Sequence, residues 1–199
     1  GGKKSVSMES SLLMAKFDGS VSIDKTAKQL SNFIGKYFST DSVPAPKDSV
    51  DQNFNFLVEV RNAPVISEVF VPGLESFIPG PITGTFNSAE SLLDLQIQFP
   101  QVIYNGIRVD SLSVKVDSDI EKLNFHTSFT RLSIGEIELA RTDFVATASN
   151  NQITLGVLIL NEGLEKLKMQ ALLTHGNNFG DYKISILQNK VILNGQQWI

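Results

Sequence analysis

The chain contains no cysteine, and only two of its 199 residues are histidine. The absence of cysteine excludes a disulfide framework, thiol catalysis and cysteine metal sites, although it does not identify a compartment. Neither His126 nor His175 has a companion at the spacing of a metal site. Phosphate-binding loops and serine nucleophile motifs are missing as well. We therefore expect no enzymatic activity, no metal and no other cofactor.

Charge is also scarce, because only 19% of the residues are Asp, Glu, Lys or Arg and the formal net charge is -4. Binding a phosphate backbone requires a concentrated basic surface, so nucleic acid is excluded as a partner. No apolar run approaches the roughly 18 residues of a membrane-spanning helix. Pairs of acidic residues such as Glu136 and Glu138 fit a solvent-facing strand better than a catalytic site.

The first 52 residues predict two strands, one helix and a proline-containing linker. Asp18-Gly19 separates two short apolar runs and predicts a hairpin turn. Asp24 is a suitable N-cap for the helix that follows. Residues 39–51 contain two prolines and no periodicity, which predicts a loop or linker. The helix is predicted from apolar residues at three- and four-residue steps: Ala27, Leu30, Phe33, Ile34, Tyr37 and Phe38.

Residues 53–199 predict an antiparallel β meander with one short helix near residues 64–71. Apolar and polar residues alternate in run after run, and turn residues such as Asn105-Gly106 and Asn150-Asn151 separate the runs. Short turns join antiparallel neighbours, since parallel strands need long crossover connections. We expect residues 1–52 and 53–199 to form one continuous unit of a longer protein.

Alternation of this kind gives a sheet with one apolar face, and that face has to be removed from water. Three arrangements achieve this: a β-sandwich, a closed barrel, or a curled sheet that shelters a ligand or the helices. Composition and periodicity leave all three open.

Two stretches resemble the repetitive β region of TamB-like proteins of the AsmA superfamily, particularly the versions found in Bacteroidetes. From Asn53 to Asn87, an alternating strand is followed by Asn62-x-Pro64, by Pro72-Gly73-Leu74 and by Ile82-x-Gly84-x-Phe86-Asn87, and the long run Leu95–Val114 comes next. The closing run Ile184–Ile199, with its Trp-Ile step, is similar to a strand pair of the same region. The chain is thus identified as an internal fragment of such a protein.

The resemblance implies a long curled antiparallel sheet, a half-pipe with an apolar concave face, accompanied by one or two short amphipathic helices in the N-terminal half. It implies a non-catalytic scaffold of outer-membrane biogenesis, in which an apolar groove carries phospholipid between the inner and outer membranes. The parent protein would be anchored in the inner membrane, lie in the periplasm and contact an outer-membrane barrel protein through other parts of its chain.

Under this interpretation, alternating residues of several strands line the groove, and the helix near residues 27–38 plugs or caps it. The same residues would line the core of an ordinary sandwich, so their role is open. The predicted groove residues are Leu93, Leu95, Ile97, Phe99, Val114, Val116, Phe125, Ile153, Leu155, Val157, Leu167 and Met169.

Two other functions fit the same pattern. A chaperone-like scaffold would template strands of outer-membrane barrel proteins on an exposed sheet edge. A β-sandwich module would serve adhesion or glycan binding. Sugar platforms need exposed Trp and Tyr, whereas the aromatics here are 13 Phe against one Trp and three Tyr, which favours apolar burial. We also expect edge-to-edge self-association of the fragment, because a cut sheet leaves unpaired edges.

Overall fold

A computed structural model describes residues 4–39, 51–61, 64–176, 180–187, 191–193 and 196–198. Within these residues there are two helices and sixteen strands, and every strand belongs to the same sheet. The strand pairs are antiparallel throughout, and the sheet does not close on itself. The predicted mainly β, antiparallel fold is confirmed.

The longest helix and the longest strand each have 13 residues. We label them α1 (Ile23–Gly35), α2 (Ile66–Phe70), β1 (Lys4–Glu9), β2 (Leu13–Ser20), β3 (Asn53–Val60), β4 (Leu74–Ile78), β5 (Pro81–Asn87), β6 (Leu92–Tyr104), β7 (Ile107–Ser118), β8 (Leu123–Phe129), β9 (Arg131–Ile134), β10 (Ile137–Leu139), β11 (Thr142–Ser149), β12 (Gln152–Asn161), β13 (Leu164–His175), β14 (Tyr182–Ile186), β15 (Val191–Leu193) and β16 (Gln196–Trp198).

The strand order is β1-β2-β3-β5-β6-β7-β8-β11-β12-β13-β15-β16, so the sheet is essentially a meander. Four short strands lie off this path: β4 pairs with β6, β9 with β7, β10 with β9, and β14 with β13. Because β2 pairs with β3, the N-terminal strands are continuous with the rest of the sheet.

Directly opposed residues of antiparallel strands point to the same side of a sheet, so the register sorts the side chains into rows. We number four rows and call the side that carries them the row face. The first contains Phe54, Phe86, Leu93, Leu123, Ala148, Ile153, Leu173 and Ile184. The second contains Val6, Phe17, Phe56, Gly84, Leu95, Val116, Phe125, Ala146, Leu155, Ala171 and Ile186.

The next two rows continue along the same strands. The third contains Met8, Ala15, Val58, Ile82, Ile97, Val114, Thr127, Phe144, Val157 and Met169. The fourth contains Leu13, Val60, Phe99, Leu112, Phe129, Thr142, Ile159 and Leu167.

The predicted hairpin at Asp18-Gly19 is wrong, because β2 runs straight through both residues. Gly19 is needed for a close approach of two strands: a Cβ there would lie 2.7 Å from the Cα of Phe54. The turn lies earlier, where the Ser10 hydroxyl oxygen accepts hydrogen bonds from the backbone N–H groups of Leu12 and Leu13. A short side chain that bonds the nearby backbone stabilises such a turn without glycine.

The predicted helix near residues 27–38 is confirmed as α1, but its N-cap is Ser22 and not Asp24. The backbone carbonyl of Ser22 accepts a hydrogen bond of 2.9 Å from the Thr26 hydroxyl, one turn into the helix. Residues 40–50 of the predicted linker lie outside the described residues.

The short helix predicted near residues 64–71 is present as the π-helix α2. Val69 and Phe70 are largely exposed. A helix of one turn leaves little surface to pack, and α2 lies beside the short strand β4 at the margin of the sheet.

Substitution of two glycines, one with open space beside it and one in close contact with its neighbours, tests the packing of the sheet. Gly35, at the end of α1, has open space where a Cβ would be, so Gly35→Ala should raise the unfolding free energy by about 0.5 kcal/mol. A Cβ on Gly84 would lie 2.6 Å from the Phe56 ring, so Gly84→Ala should lower it by about 1–3 kcal/mol. Urea unfolding measures both, and equal effects of the two substitutions would contradict the packing described.

Candidate functional site

The structure places all twelve predicted groove residues in the rows of one face. Leu93 and Ile153 lie in the first row, and Phe99 and Leu167 lie in the fourth. The second row contains Leu95, Val116, Phe125 and Leu155, and the third contains Ile97, Val114, Val157 and Met169. They form an extended surface across several strands and do not converge on one pocket.

Helix α1 covers the first row. Phe33, which is 2% exposed, packs with its ring 5.3 Å from that of Phe86 in a T-shaped arrangement. Phe33, Tyr37 and Phe38 form one buried cluster with first-row residues from β3 to β11, and first-row residues of β8, β12 and β13 pack against it. Of the predicted groove residues, Leu93 is therefore a core residue beneath α1, and Ile153 is partly buried against the same cluster.

The C-terminal end of α1 is bonded to successive turns at one end of the sheet. The Tyr37 hydroxyl donates to the carbonyl of Asp119, at 2.6 Å, and to that of Ser91, at 3.4 Å. The N–H of Asn151 donates to the Tyr37 carbonyl, at 3.0 Å, and the Asn151 side chain accepts from the N–H of Ser39. Tyr37 thus connects the β5–β6, β7–β8 and β11–β12 turns.

Phe38 extends this contact to the far strands. Its ring stacks on His175, at the end of β13, with centroids 4.9 Å apart, and lies 6.0 Å from that of Tyr182 in β14. His175 therefore packs against α1, and its structural role is that of an aromatic side chain.

The N-terminal end of α1 is held by Gln52, which is 1% exposed. Its amide oxygen accepts from the N–H of Ser22 and from the Thr26 hydroxyl, and its amide nitrogen donates to Gln29. The backbone of Gln52 exchanges hydrogen bonds with Ser88 in the β5–β6 turn. A buried amide with this many partners fixes the position of α1 against β3, because leaving any of them unpaired is costly.

Burial raises the pKa of the Tyr37 phenol above its ordinary value, since the ionised form would lose its hydration. The pKa of Asp119 is lowered, because its carboxylate accepts hydrogen bonds from the N–H groups of Glu121 and Lys122. These bonds shape the turn whose carbonyl accepts the Tyr37 hydroxyl.

Beyond α1 the row face is only partly exposed, because Phe129 and Thr142 in the fourth row are buried. Phe125 in the second row and Phe144 in the third are each 41% exposed, although they lie only one and two rows from the row that α1 covers. The described residues contribute no second layer over the second, third and fourth rows in β8, β11 and β12. Large aromatic side chains left half exposed on a continuous face are typical of a binding surface.

An interruption crosses the sheet after the fourth row. Pro100 and Ser111 stand across from each other between the pairs Phe99–Leu112 and Gln101–Asp110, and Ser111 has a positive φ of 54°. Proline has no N–H for the ladder, and a positive φ bends the strand. Phe77 pairs with Val102, and the Phe77 ring lies 6.0 Å from that of Phe99. The two rings therefore lie on the same side of the sheet. The alternation changes phase at the interruption, and the row face continues with Val102 in place of Gln101.

Two further rows lie beyond this interruption, and we call them the distal rows. One contains Phe77, Val102, Val109, Leu132 and Leu139, and the other contains Leu74, Tyr104, Ile107, Ile134 and Ile137. In the outermost row, Tyr104, Ile134 and Ile137 are exposed.

Ionisable side chains also meet around His126. His126 forms a 3.0 Å contact with Asp143, which also pairs with Arg141. In the described part of the chain, no group of three or more potential ligands could hold a metal ion. Across the same residues, neither helix combines the length and apolar character required to cross a membrane.

Comparisons with known proteins identify no relative. No family model matches the chain, and no curated protein or solved structure is similar to it.

Sequence reasoning missed the residues that hold α1 in place. The apolar periodicity of α1 includes Phe33 and Tyr37, but nothing in it specifies that Tyr37 bonds to distant turns. Gln52 adjoins the predicted linker and carries no motif, so only its burial reveals its role. Phe144 lies in an alternating run of the sequence, and the register of the strands places it diagonally next to Phe125 on the row face.

Replacing Tyr37 by Phe tests the connection between α1 and the turns. The variant should lose about 1 kcal/mol of unfolding free energy at pH 7, because it loses the hydrogen bond to Asp119. The raised pKa of Tyr37 means that its contribution is complete below about pH 10 and is lost as the pH rises further. Urea unfolding at pH 7 to 11 should therefore show a steeper decline for the wild type than for Tyr37→Phe, and parallel curves would contradict this.

Proposed function

We propose that this chain is a non-catalytic scaffold whose row face forms the apolar lining of a curled sheet and shelters the acyl chains of lipids. The observation that carries the proposal is the half exposure of Phe125 and Phe144 on a face whose rows consist mainly of apolar residues. A sandwich would cover such residues with a second layer, whereas a lipid-binding trough leaves them available.

The contacts of α1 support the curl. From β3, where Gln52 binds the start of α1, to β14, where Tyr182 meets Phe38, there are eight strand spacings. A flat sheet would make this distance about 38 Å. The 13 residues of α1 span only about 20 Å. A sheet curled around α1 brings both strands within reach of one short helix.

The dimensions of the row face suit an acyl chain. Along β6, the distance from Leu93 in the first row to Tyr104 in the outermost distal row is about 36 Å. The hydrocarbon layer of one membrane leaflet is about 15 Å thick, half of a bilayer core. Each methylene group that leaves water for this lining gains about 0.8 kcal/mol.

The biological setting of the proposal comes from the resemblance to TamB-like proteins of the AsmA superfamily. In that setting the chain is an internal segment of a periplasmic protein anchored in the inner membrane, and its cargo is phospholipid moving between the two membranes. An outer-membrane barrel protein would be a partner of other parts of the parent protein.

Replacing Leu155 by Arg tests the open lining. Leu155 lies in the second row and outside the cluster around α1. If the row face is open there, Leu155→Arg should fold and lose at least about tenfold in affinity for a fluorescent fatty acid, since a charge in the lining disfavours the acyl chain. Circular dichroism and a fluorescence titration measure the two properties.

Thr154→Arg is the matched control, because Thr154 is the neighbouring residue of β12 and points to the opposite, exposed face. It should keep both the fold and the affinity. An unfolded Leu155→Arg variant beside a folded control would indicate a closed core and argue against the trough.

The free edge of β1 favours a second candidate function, a chaperone-like scaffold that adds strands of barrel proteins by β-augmentation. β1 ends the strand order, and its residues from Ser5 to Glu9 are exposed. Val6 and Met8 extend the second and third rows to this edge, so an added strand could continue the row face.

Self-association reports whether this edge accepts a strand. We expect the chain to associate as its concentration rises, and Met8→Lys to reduce the association by at least about tenfold, because an inward-pointing lysine protects an edge. Glu90→Lys, in an exposed turn away from β1, is the control for added positive charge. Sedimentation velocity measures the oligomers, and a monomer at every concentration would exclude an open edge.

A further inference from the structure

We infer that α1 makes one end of the proposed trough blind, so that a bound acyl chain lies in a single orientation, with its methyl end toward α1 and its polar head toward the distal rows. This inference rests on the proposed function, and it specifies how the ligand lies in the same site. It follows from differences between the two ends of the row face.

The end near α1 is filled by protein. Phe33 and Tyr37 are 2% and 3% exposed, and the first-row residues around them are buried or half-buried in the same cluster. Tyr37 and Phe38 close the space between α1 and this end of the sheet. Tyr37 bonds to Asp119 in the β7–β8 turn, and Phe38 stacks on His175 at the end of β13. No acyl chain can pass this end while these contacts exist.

The surroundings of α1 also reject a polar head. Next to the cluster the row face presents Val116, Phe56 and Phe17, which pack against it. The polar groups around α1 are already paired: the Tyr37 hydroxyl, just after the helix, bonds to carbonyls, and the Gln52 side chain bonds to Ser22 and Thr26. Placing an unpaired polar or charged head there would cost several kcal/mol, whereas a terminal methyl group costs nothing.

The distal end has the opposite character. Tyr104, Ile134 and Ile137 are exposed in the outermost row, and α2 beside it exposes Val69 and Phe70. A head group at this end remains in contact with water while the chain extends over the distal, fourth, third and second rows. A blind trough open at one end therefore binds and releases lipid at the distal end or along its open side.

Two photoreactive derivatives of palmitic acid test the orientation, one with a diazirine near the methyl end and one with it near the carboxylate. After irradiation of the wild-type chain, peptide mass spectrometry maps the labelled residues. The methyl-end probe should label the second row, at Val116 and Phe125, and the carboxylate-end probe should label the distal rows, at Val102 and Leu132. Identical labelling patterns, or the reverse pattern, would overturn the single orientation.

The labelling experiment distinguishes failure of the blind end from failure of the proposed function. Labelling of the row face without a difference between the probes overturns only the blind end and leaves the proposed function intact. Absence of labelling and of fatty acid binding overturns the proposed function and the orientation together.

A variant that shortens the blind end gives an independent test. Val116→Trp fills space beside the α1 cluster, and Lys115→Trp, on the opposite face of β7, is its control. In a blind trough, Val116→Trp should weaken palmitate binding about tenfold more than decanoate binding, because only the longer chain reaches the filled space. Equal losses for both chain lengths would mean that the chain slides past α1, which contradicts the blind end.

Discussion

The packing of Phe33, Tyr37 and Phe38 against the first row is the interaction on which the rest of the molecule depends. A single antiparallel sheet has no core of its own, and the packed aromatics of α1, of the segment just after it, of β3 and of β5 supply one. The hydrogen bonds of Tyr37 and Gln52 then add direction, because they connect α1 to particular turns and to β3. Burial holds the helix on the sheet, and these polar bonds decide where it lies.

This arrangement divides the row face into a covered and an uncovered part. Where α1 lies, apolar side chains have a protein partner and contribute to folding. Further along the same strands, the same pattern of alternation continues without a cover, and Phe125 and Phe144 remain half exposed. The surface that stabilises the fold and the surface that stays exposed are therefore made by one repeated pattern. The position of a single helix separates the two roles.

Alternation was sufficient to predict most of the strands after residue 53, because a period of two fixes the side of the sheet on which a side chain lies. It could not predict that α1 covers Leu93 and Ile153, since covered and open positions have the same pattern. Asp18-Gly19 was misinterpreted because glycine serves both hairpin turns and close backbone approaches, and only the neighbouring Phe54 distinguishes the two. Gln52 and the hydroxyl of Tyr37 depend on contacts between residues far apart in sequence, for which one sequence offers no signal.

The interruption at Pro100 and Ser111 has a consequence for how the sheet resists opening. Pro79 and Pro81 flank Gly80, which lies against the carbonyl of Gln98 beside Pro100, so three residues without an amide hydrogen meet at one place. The backbone ladder that transmits cooperativity between neighbouring strands is thinned there. We therefore expect the short strands β4, β9 and β10 to fray more readily than the strands around α1, so that this margin of the sheet loosens without loss of the rest of the molecule.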